Sequence, residues 1–434
     1  MSSDVLVAGG GIAGLTLALT CHQIGVPVSV HESTPALRPL GVGINLQPNA
    51  VRELFELGLE DELRAIGVET AEYGFYTKHG DEIWVEPRGR RAGYTWPQFS
   101  VHRGRLQMLL YEAVVDRLGP ERVVTGSRAV GFENRADGID LLIETRGGSS
   151  DGADGGPSAV TQVPGSLVVG ADGLHSAIRG QMVPDEGPPN WGGAILWRGA
   201  TVAEPFRGGA SMALIGHATQ RFVTYPISPT DPATGTALIN WIAELTVDEA
   251  DRMAETDWSR RAVAADFLDH FADWRFGWVD VPALVTGTDE IFVYQMVDRD
   301  PLDRWTHGRA TLIGDAAHVM YPVGSNGASQ SIVDGRRLGR AFLDHGVTEA
   351  ALQAYEAEVR PATSRMVLQN RGKGPDWVMD LVEQRSGGVY DQVSDVVSHA
   401  ELAEHAARYK GIAGFSIDEL NAAPPIIPPG AIVA

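Results

Sequence analysis

The chain has 434 residues, 44% of them hydrophobic and 21% charged, with one cysteine and a formal net charge of −21. That length exceeds one typical core and predicts two closely packed domains, and the apolar content excludes a disordered chain. The negative balance argues against a nucleic-acid or membrane-surface partner, while a single cysteine excludes an intrachain disulfide and a multi-cysteine metal site, which suits a reducing cytoplasm.

In chain order, an apolar strand over Asp4 to Ala8 meets Gly9-Gly10-Gly11-Ile12-Ala13-Gly14, and a helical pattern through Leu15, Leu17, Ala18 and Leu19 follows. Strand, glycine turn and helix make a dinucleotide fingerprint. Gly9 permits the tight turn, Gly11 lets backbone approach a pyrophosphate, and Gly14 lets the helix pack on the strand. A second strand, Val26 to His31, ends at Glu32, where a carboxylate meets the adenosine ribose hydroxyls. NAD and FAD are both open at this point. Cys21, on the first helix, reads as a small buried apolar residue rather than a reactive thiol.

Helical spacing recurs over Val51 to Leu63 and Arg103 to Leu118, and alternating strand and helix signals up to about Gly180 predict an α/β layer. The second glycine motif, Gly170-Ala171-Asp172-Gly173, follows a Ser-, Asp- and Gly-rich stretch, Gly147 to Gly165, that predicts a hairpin tip. From Gly192 to about Tyr294 the signals turn strand-like, over Ala194 to Ala200, Arg221 to Ile227 and Thr236 to Glu244, with one helical stretch near Ala262 to Phe271. A buried strand, Ala310 to Ile313, then leads into the third motif, Gly314-Asp315-Ala316-Ala317-His318. Helices are predicted over Gln330 to His345 and Glu349 to Asn370, and an extended proline-rich tail over Ala422 to Ala434.

The fold class is α/β with mixed α+β character. A Rossmann-like dinucleotide-binding domain spans 1–180 and returns over 296–370; an inserted sheet that receives the substrate spans 181–295; C-terminal helices and the extended tail occupy 371–434. Three separate motifs folding onto one dinucleotide point to bound FAD. A carboxylate at a strand end, Asp315, holds a sugar hydroxyl without any catalytic pKa. A helix beginning near Ala328, after Pro322, Gly324 and Gly327, aims its N-terminal amides at the negative charge of a reduced flavin. Strand alternation places Arg221, Val223 and Tyr225 on one face of the inserted sheet. Trp197, Tyr225, Tyr294, Met296 and Tyr321 are candidates for an aromatic slot, Arg198 for a substrate carboxylate, and His318 for a structural hydrogen bond.

With these motifs in place, the chain resembles the single-component class A flavoprotein aromatic hydroxylases, the para-hydroxybenzoate hydroxylase superfamily, over nearly its whole length. The segments Arg38-Pro39-Leu40-Gly41-Val42-Gly43-Ile44-Asn45-Leu46-Gln47-Pro48, Trp197-Arg198-Gly199, Met296-Val297-Asp298-Arg299-Asp300-Pro301 and Gly324-Ser325-Asn326-Gly327-Ala328-Ser329-Gln330 are similar to the phenazine hydroxylase branch. The resemblance implies resident FAD, transient NADH or NADPH, O2 captured at flavin C4a, and one oxygen passed to the ring of a small aromatic substrate. It places Asp172 and Gly173 near the pyrophosphate, Arg179 at the tail of that motif, Arg103 at the sugar and phosphate, and Asp315 at the ribityl chain. Val42, Gly43 and Ile44 run along the isoalloxazine, and Arg38, Asn326 and Ala328 join the cofactor set. Arg221 resembles in position an arginine near the flavin, and with Pro322 and Gly327 makes up the catalytic set. No metal is implied, and a monomer or homodimer is expected. The tyrosine and serine set that hydroxybenzoate enzymes place around their substrate is absent in recognisable spacing, which points away from para-hydroxybenzoate. Two other readings stay open: a flavin oxidase or dehydrogenase that inserts no oxygen, and a non-catalytic binding scaffold on the same fold.

Overall fold

A computed structural model describes residues 4–145, 159–253, 260–372, 374, 376–404 and 416–433. The strands Val5–Ala8, Leu167–Gly170 and Ala310–Leu312 are buried at every position, as parallel strands covered on both faces are. They belong to a five-stranded parallel sheet in the order Ala310–Leu312, Leu167–Gly170, Val5–Ala8, Val28–His31, Val123–Val124. Ala8 pairs with both Gly170 and His31, and Gly170 pairs with Leu312, so four strands end on one edge. The three glycine motifs begin at that edge.

The helix Ile12–Gln23 follows the first strand and buries ten of its twelve residues, apolar around its whole circumference, which puts it inside the domain. It packs against the helices Gly327–His345 and Arg103–Leu118. Arg336 on the former, fully buried, donates to Glu53 at 3.0 Å and also reaches Thr20 and Gln23, so a buried cation joins three helices. Burial pushes the Glu53 carboxyl up, and Arg336 pulls it back.

The inserted part is an eight-stranded sheet in the order Arg261–Ala262, Ile291–Asp298, Asn190–Ala203, Ala237–Thr246, Gln220–Pro226, Ser211–His217, Glu72–Tyr76, Glu82–Pro87. Its last two strands come from outside 181–295, and one strand runs past that boundary to Asp298. The hairpin Glu72–Pro87 covers an edge that Ser211–His217 would otherwise expose, pairing with it in parallel. One face carries Trp197, Phe222, Trp241 and Phe267. The opposite face carries Leu196, Ile242, Tyr294 and Met296, with Tyr321 of the nucleotide-binding part packed on them.

Three local expectations change. Val51 to Leu63 is two helices, Pro48–Glu56 and Glu60–Ile66, because Gly58 takes a left-handed conformation (φ 70) between them. Ala262 to Phe271 is a strand end and two short 3-10 turns rather than a helix. Of the hairpin tip, Ala159–Gly165 is strand paired with Gly138–Thr145, and 147–158 lie outside the described residues. The helices Gly327–His345 and Glu349–Asn370 stand where the spacing placed them. Helix Trp377–Ser386 packs Val378, Met379 and Val382 onto Phe75, Ile83 and Leu214. The final segment beyond helix Ile417–Ala422 buries Ile427 and donates from Val433 N–H to the Ile24 carbonyl at 3.0 Å. No described helix is long and apolar enough to cross a membrane.

Candidate functional site

At the shared strand edge the motifs hold one another. Gly9 N–H donates to His31 O at 2.8 Å, Ala171 N–H to Ala8 O at 2.8 Å and Ile313 N–H to Gly170 O at 2.9 Å. Gly9 has φ +107, and a Cβ there would lie 2.4 Å from the Ala171 carbonyl oxygen; one on Gly14 would lie 2.1 Å from the Gly9 oxygen. Any side chain would push these turns apart. On the other side of the motifs the space is clear: a Cβ on Gly11, Gly173 or Gly327 meets nothing within 4 Å. The helices Ile12–Gln23 and Gly327–His345 both start at this opening with no acidic residue in their first turns, so their amides are free to meet negative charge. Asp315 is the one exposed residue between Ala310 and Tyr321. Open backbone at the first two motifs and at the start of Gly327–His345, two helix N-termini and one exposed carboxylate fit a dinucleotide that ends in a flavin. Glu32 stands at the end of its strand, buried, accepting Gly10 N–H at 2.8 Å and Thr34 N–H at 2.7 Å.

Asp172 does not turn its carboxylate to this opening. It accepts from the Ser176 hydroxyl and from Ala177 N–H at 2.8 Å, capping the helix Ala177–Met182, and Gly173 supplies the open backbone instead. Burial raises the Asp172 carboxyl, and these donors oppose it. Arg179 is buried and donates to the carbonyls of Ala316 and Ala317 at 3.0 and 2.9 Å while pairing with Glu186, so it joins the second motif to the third. His318 Nε2 lies 2.5 Å from Asp334 Oδ2, which also accepts Gly314 N–H at 2.8 Å. Gln330 Nε2 donates to the other Asp334 oxygen at 2.8 Å. His318 is therefore structural, and Asp334, missed in the sequence, fixes the turn that presents Asp315.

The segment expected along a flavin ring is held from two sides. Gly43 N–H donates to Asn240 Oδ1 at 2.7 Å, and the Gly43 carbonyl accepts Arg198 Nη2 at 2.7 Å. Gln47 N–H donates to Ser329 Oγ at 2.9 Å, and Gln47 Nε2 to the Gly324 carbonyl at 3.0 Å. The inserted sheet, the strand Gly43–Leu46 and the loop before Ala328 are thus one assembly. Ser325 and Gly324 both take left-handed backbone, φ 60 and 72, turning the chain between Pro322 and the helix start. Val42 is buried and its carbonyl accepts Arg103 N–H at 2.9 Å; the side chains of Arg38 and Arg103 are exposed, Ile44 and Ala328 half-buried, Asn326 buried and Pro322 exposed.

Arg198 also donates to the Tyr294 hydroxyl and bonds Tyr225, whose phenol burial pushes up to about 12 against the pull of Arg198. This buried set stands behind Gly43. Trp197 faces away from it: stacked on Phe267 with ring centroids 4.9 Å apart, it belongs to the outer core of the sheet and not to an aromatic slot. The reason is the two-residue strand period, which sends Trp197 and Arg198 to opposite faces.

A pocket of ≈ 200 Å³ lies between the inserted sheet and the segment around 370–380, lined by Gly192, Ala194, Met296, Tyr321, Val323 and Trp377 together with Arg221 and Glu244. Of the seven substrate candidates, Arg221, Met296 and Tyr321 reach it. Arg221 is not a free cation. Asp376 lies 2.7 Å from it, and Glu244 and Asp380 each 3.5 Å. Burial pushes the Glu244 carboxyl up to about 7; Arg221 opposes this, and Asp376 and Asp380 add to it. Across the pocket Arg371 pairs with the fully buried Asp298 at 2.6 Å and with Asp300 at 2.7 Å, and Asn370 donates to the Tyr321 carbonyl at 3.2 Å. Glu244 escaped the sequence reading because only strand pairing sets it opposite Arg221. Asp376 and Asp380 arrive from more than a hundred residues away.

The FAD binding domain family model matches residues 2–370. Phenazine 1,6-dicarboxylic acid hydroxylase of Lysobacter antibioticus is 44% identical over 373 residues, 86% of this chain and 90% of its own. A salicylate hydroxylase of Pseudomonas putida is 30% identical over 387 residues, covering 83% and 82%. Among solved structures, Klebsiella pneumoniae HpxO complexed with FAD and uric acid aligns with a TM-score of 0.71 over 97% of both chains at 23% identity, a likeness of fold.

Proposed function

The chain belongs to the FAD-dependent aromatic hydroxylases of the single-component class, near their phenazine hydroxylase branch, and on that premise we propose that it hydroxylates an aromatic or heteroaromatic carboxylic acid of the phenazine, hydroxybenzoate or aminobenzoate kind. The observation that carries this reading is the shared strand edge, where Gly11, Gly173 and Gly327 leave open backbone around the exposed Asp315. FAD, reduced by NADH or NADPH, supplies the activation of O2 and the transfer of one oxygen atom to the ring.

The chain's own residues bind, orient and exclude water. The amides opening Ile12–Gln23 meet the pyrophosphate, with Arg38 and Arg103 as exposed cations beside it, and Glu32 stands at the adenosine ribose. Asp315 accepts a ribityl hydroxyl. The amides opening Gly327–His345 would face the carbonyl edge of the ring and steady the charge of its reduced form, and Gly327 leaves room for that approach. Val42, Gly43 and Ile44 would lie along the ring, with the Gly43 backbone fixed by Asn240 and Arg198 and the Val42 carbonyl by Arg103 N–H. Pro322 shapes the passage from ring to pocket, and Met296 and Tyr321 give the pocket apolar walls that a flat substrate stacks on and water leaves. We place the protein in the cytoplasm, a reading supported by its lone, buried cysteine, and expect a monomer or homodimer.

The test is NADH and NADPH consumption by the FAD-loaded protein with phenazine carboxylates and with hydroxylated or aminated benzoates, following peroxide and product mass together. Stimulated consumption with one oxygen added to one ring class supports the reading. Peroxide release with every aromatic unchanged favours the oxidase.

A further inference from the structure

The pocket wall at Arg221 carries more negative charge than its cation can balance. Three carboxylates, on Glu244, Asp376 and Asp380, meet one guanidinium, and like charges this close resist full ionisation. A substrate carboxylate brought to this wall would be a fourth anion on the same arginine. At ≈ 200 Å³ the pocket is also smaller than the roughly 300–1,000 Å³ usual for a whole ligand, so it suits one edge of a ring system. An edge bearing O–H or N–H has the complementary chemistry, since an ionised carboxylate only accepts.

Resting on the reading that this pocket receives the aromatic substrate, we propose that Glu244 is a specificity-determining residue that accepts a hydrogen bond from an amino or hydroxyl group on the ring, and that Arg221 is its positioning residue rather than a clamp for the substrate's carboxylate. Glu244 lines the pocket from the strand Ala237–Thr246, directly opposite Arg221 in the pairing. Arg221 is held in turn by Asp376 and Asp380 from the C-terminal segment, which fixes where Glu244 stands. The hydrogen bond also serves the chemistry: a donor substituent bonded to a carboxylate releases more electron density into a ring that must meet an electrophilic oxygen. Burial first, then Arg221 on the adjacent strand and Asp376 and Asp380 from the C-terminal side, set the charge of Glu244; Tyr294 on the far strand feels that charge, and His217 lies beyond Arg221 and Asp380. Its carboxyl, raised to about 7 by burial, accepts fully only above that pH.

The experiment measures binding of 2-aminophenazine and of unsubstituted phenazine to the FAD-loaded protein, through the change each makes in the flavin absorption, across pH. The wild type should prefer the amino compound about tenfold above pH 7, as a hydrogen bond to a charged acceptor gives, and lose that preference as pH falls through about 7. Glu244→Leu should abolish the preference, and Glu244→Gln, whose amide oxygen still accepts, should keep a weaker preference with no pH dependence, both while retaining FAD. Asp376→Asn, with one like charge removed, should move the midpoint to lower pH, and it decides the question should Glu244→Gln fail to load FAD. Equal binding of the two compounds, or an unchanged pH profile in these variants, overturns the role of Glu244 and leaves the substrate reading intact. So does phenazine-1-carboxylate binding that collapses in Arg221→Gln, which would restore Arg221 as the anion clamp. If no phenazine alters the flavin spectrum, the same comparison is made with aminobenzoate against benzoate; if none of these alters it either, the substrate reading falls and this assignment with it.

Discussion

The edge of the parallel sheet and the pocket under the inserted sheet are built on opposite plans. At the edge, position is set largely by backbone: Gly9, Gly14 and Gly314 leave no room for a Cβ, and Gly11, Gly173 and Gly327 face open space. In the pocket, position is set by side chains that need one another. Arg221 has no place without Asp376 and Asp380, nor Arg371 without Asp298. The cofactor edge depends on its glycines and on a few buried side chains such as Arg179 and Asp334 that brace them, whereas the pocket can change specificity by one exchange while that edge stands unaltered.

Substitutions can break that contrast, in falling order of effect. Arg336→Met should cost about 3 kcal/mol of stability in denaturant unfolding, because Glu53 would stay buried with only Arg52, 3.6 Å away, to balance it. That is damage to the frame on which both sites depend. Gly11→Leu should fold and melt like the wild-type apoprotein, since a Cβ there meets nothing, yet purify with little FAD. Loss of fold would show that the open space belongs to the apoprotein and not to a ligand. Asp315→Ala should weaken FAD by about 10- to 100-fold, the value of a hydrogen bond to a charged acceptor, in a titration followed by flavin fluorescence. Trp197→Phe should be smallest, under about 1.5 kcal/mol in stability with aromatic binding unchanged, since Trp197 packs on Phe267 on the far face. A large loss of substrate affinity in that variant would return Trp197 to the pocket.

The same contrast explains what could be read before the structure. Gly9 to Gly14 announce a strand, a turn and a helix within a few residues, and the constraint that selects glycine acts on neighbours in the chain. The helices Gly327–His345 and Glu349–Asn370 were legible for a similar reason, since their periodicity is local. Asp172 stands in the expected cofactor set, but its carboxylate caps Ala177–Met182, a role visible only once that helix is in place. The partners of Gly43, Asn240 and Arg198, lie more than 150 residues away and carry no local signal. Glu244 looked like any polar residue at a strand's end, and the hairpin Glu72–Pro87 gave no sign that it would complete a sheet formed from residues far downstream. Trp197 could have been placed by counting alternate positions from Arg198.

Oxygen insertion is what separates this enzyme from a flavin oxidase, and isotopically labelled O2 distinguishes the two. With the FAD-loaded protein, NADH or NADPH and a phenazine carboxylate, the account predicts a product one oxygen heavier, with that atom drawn from the labelled gas. Reductant consumed with all the label recovered as peroxide and water, and the aromatic unchanged across the phenazine, hydroxybenzoate and aminobenzoate classes, would contradict it.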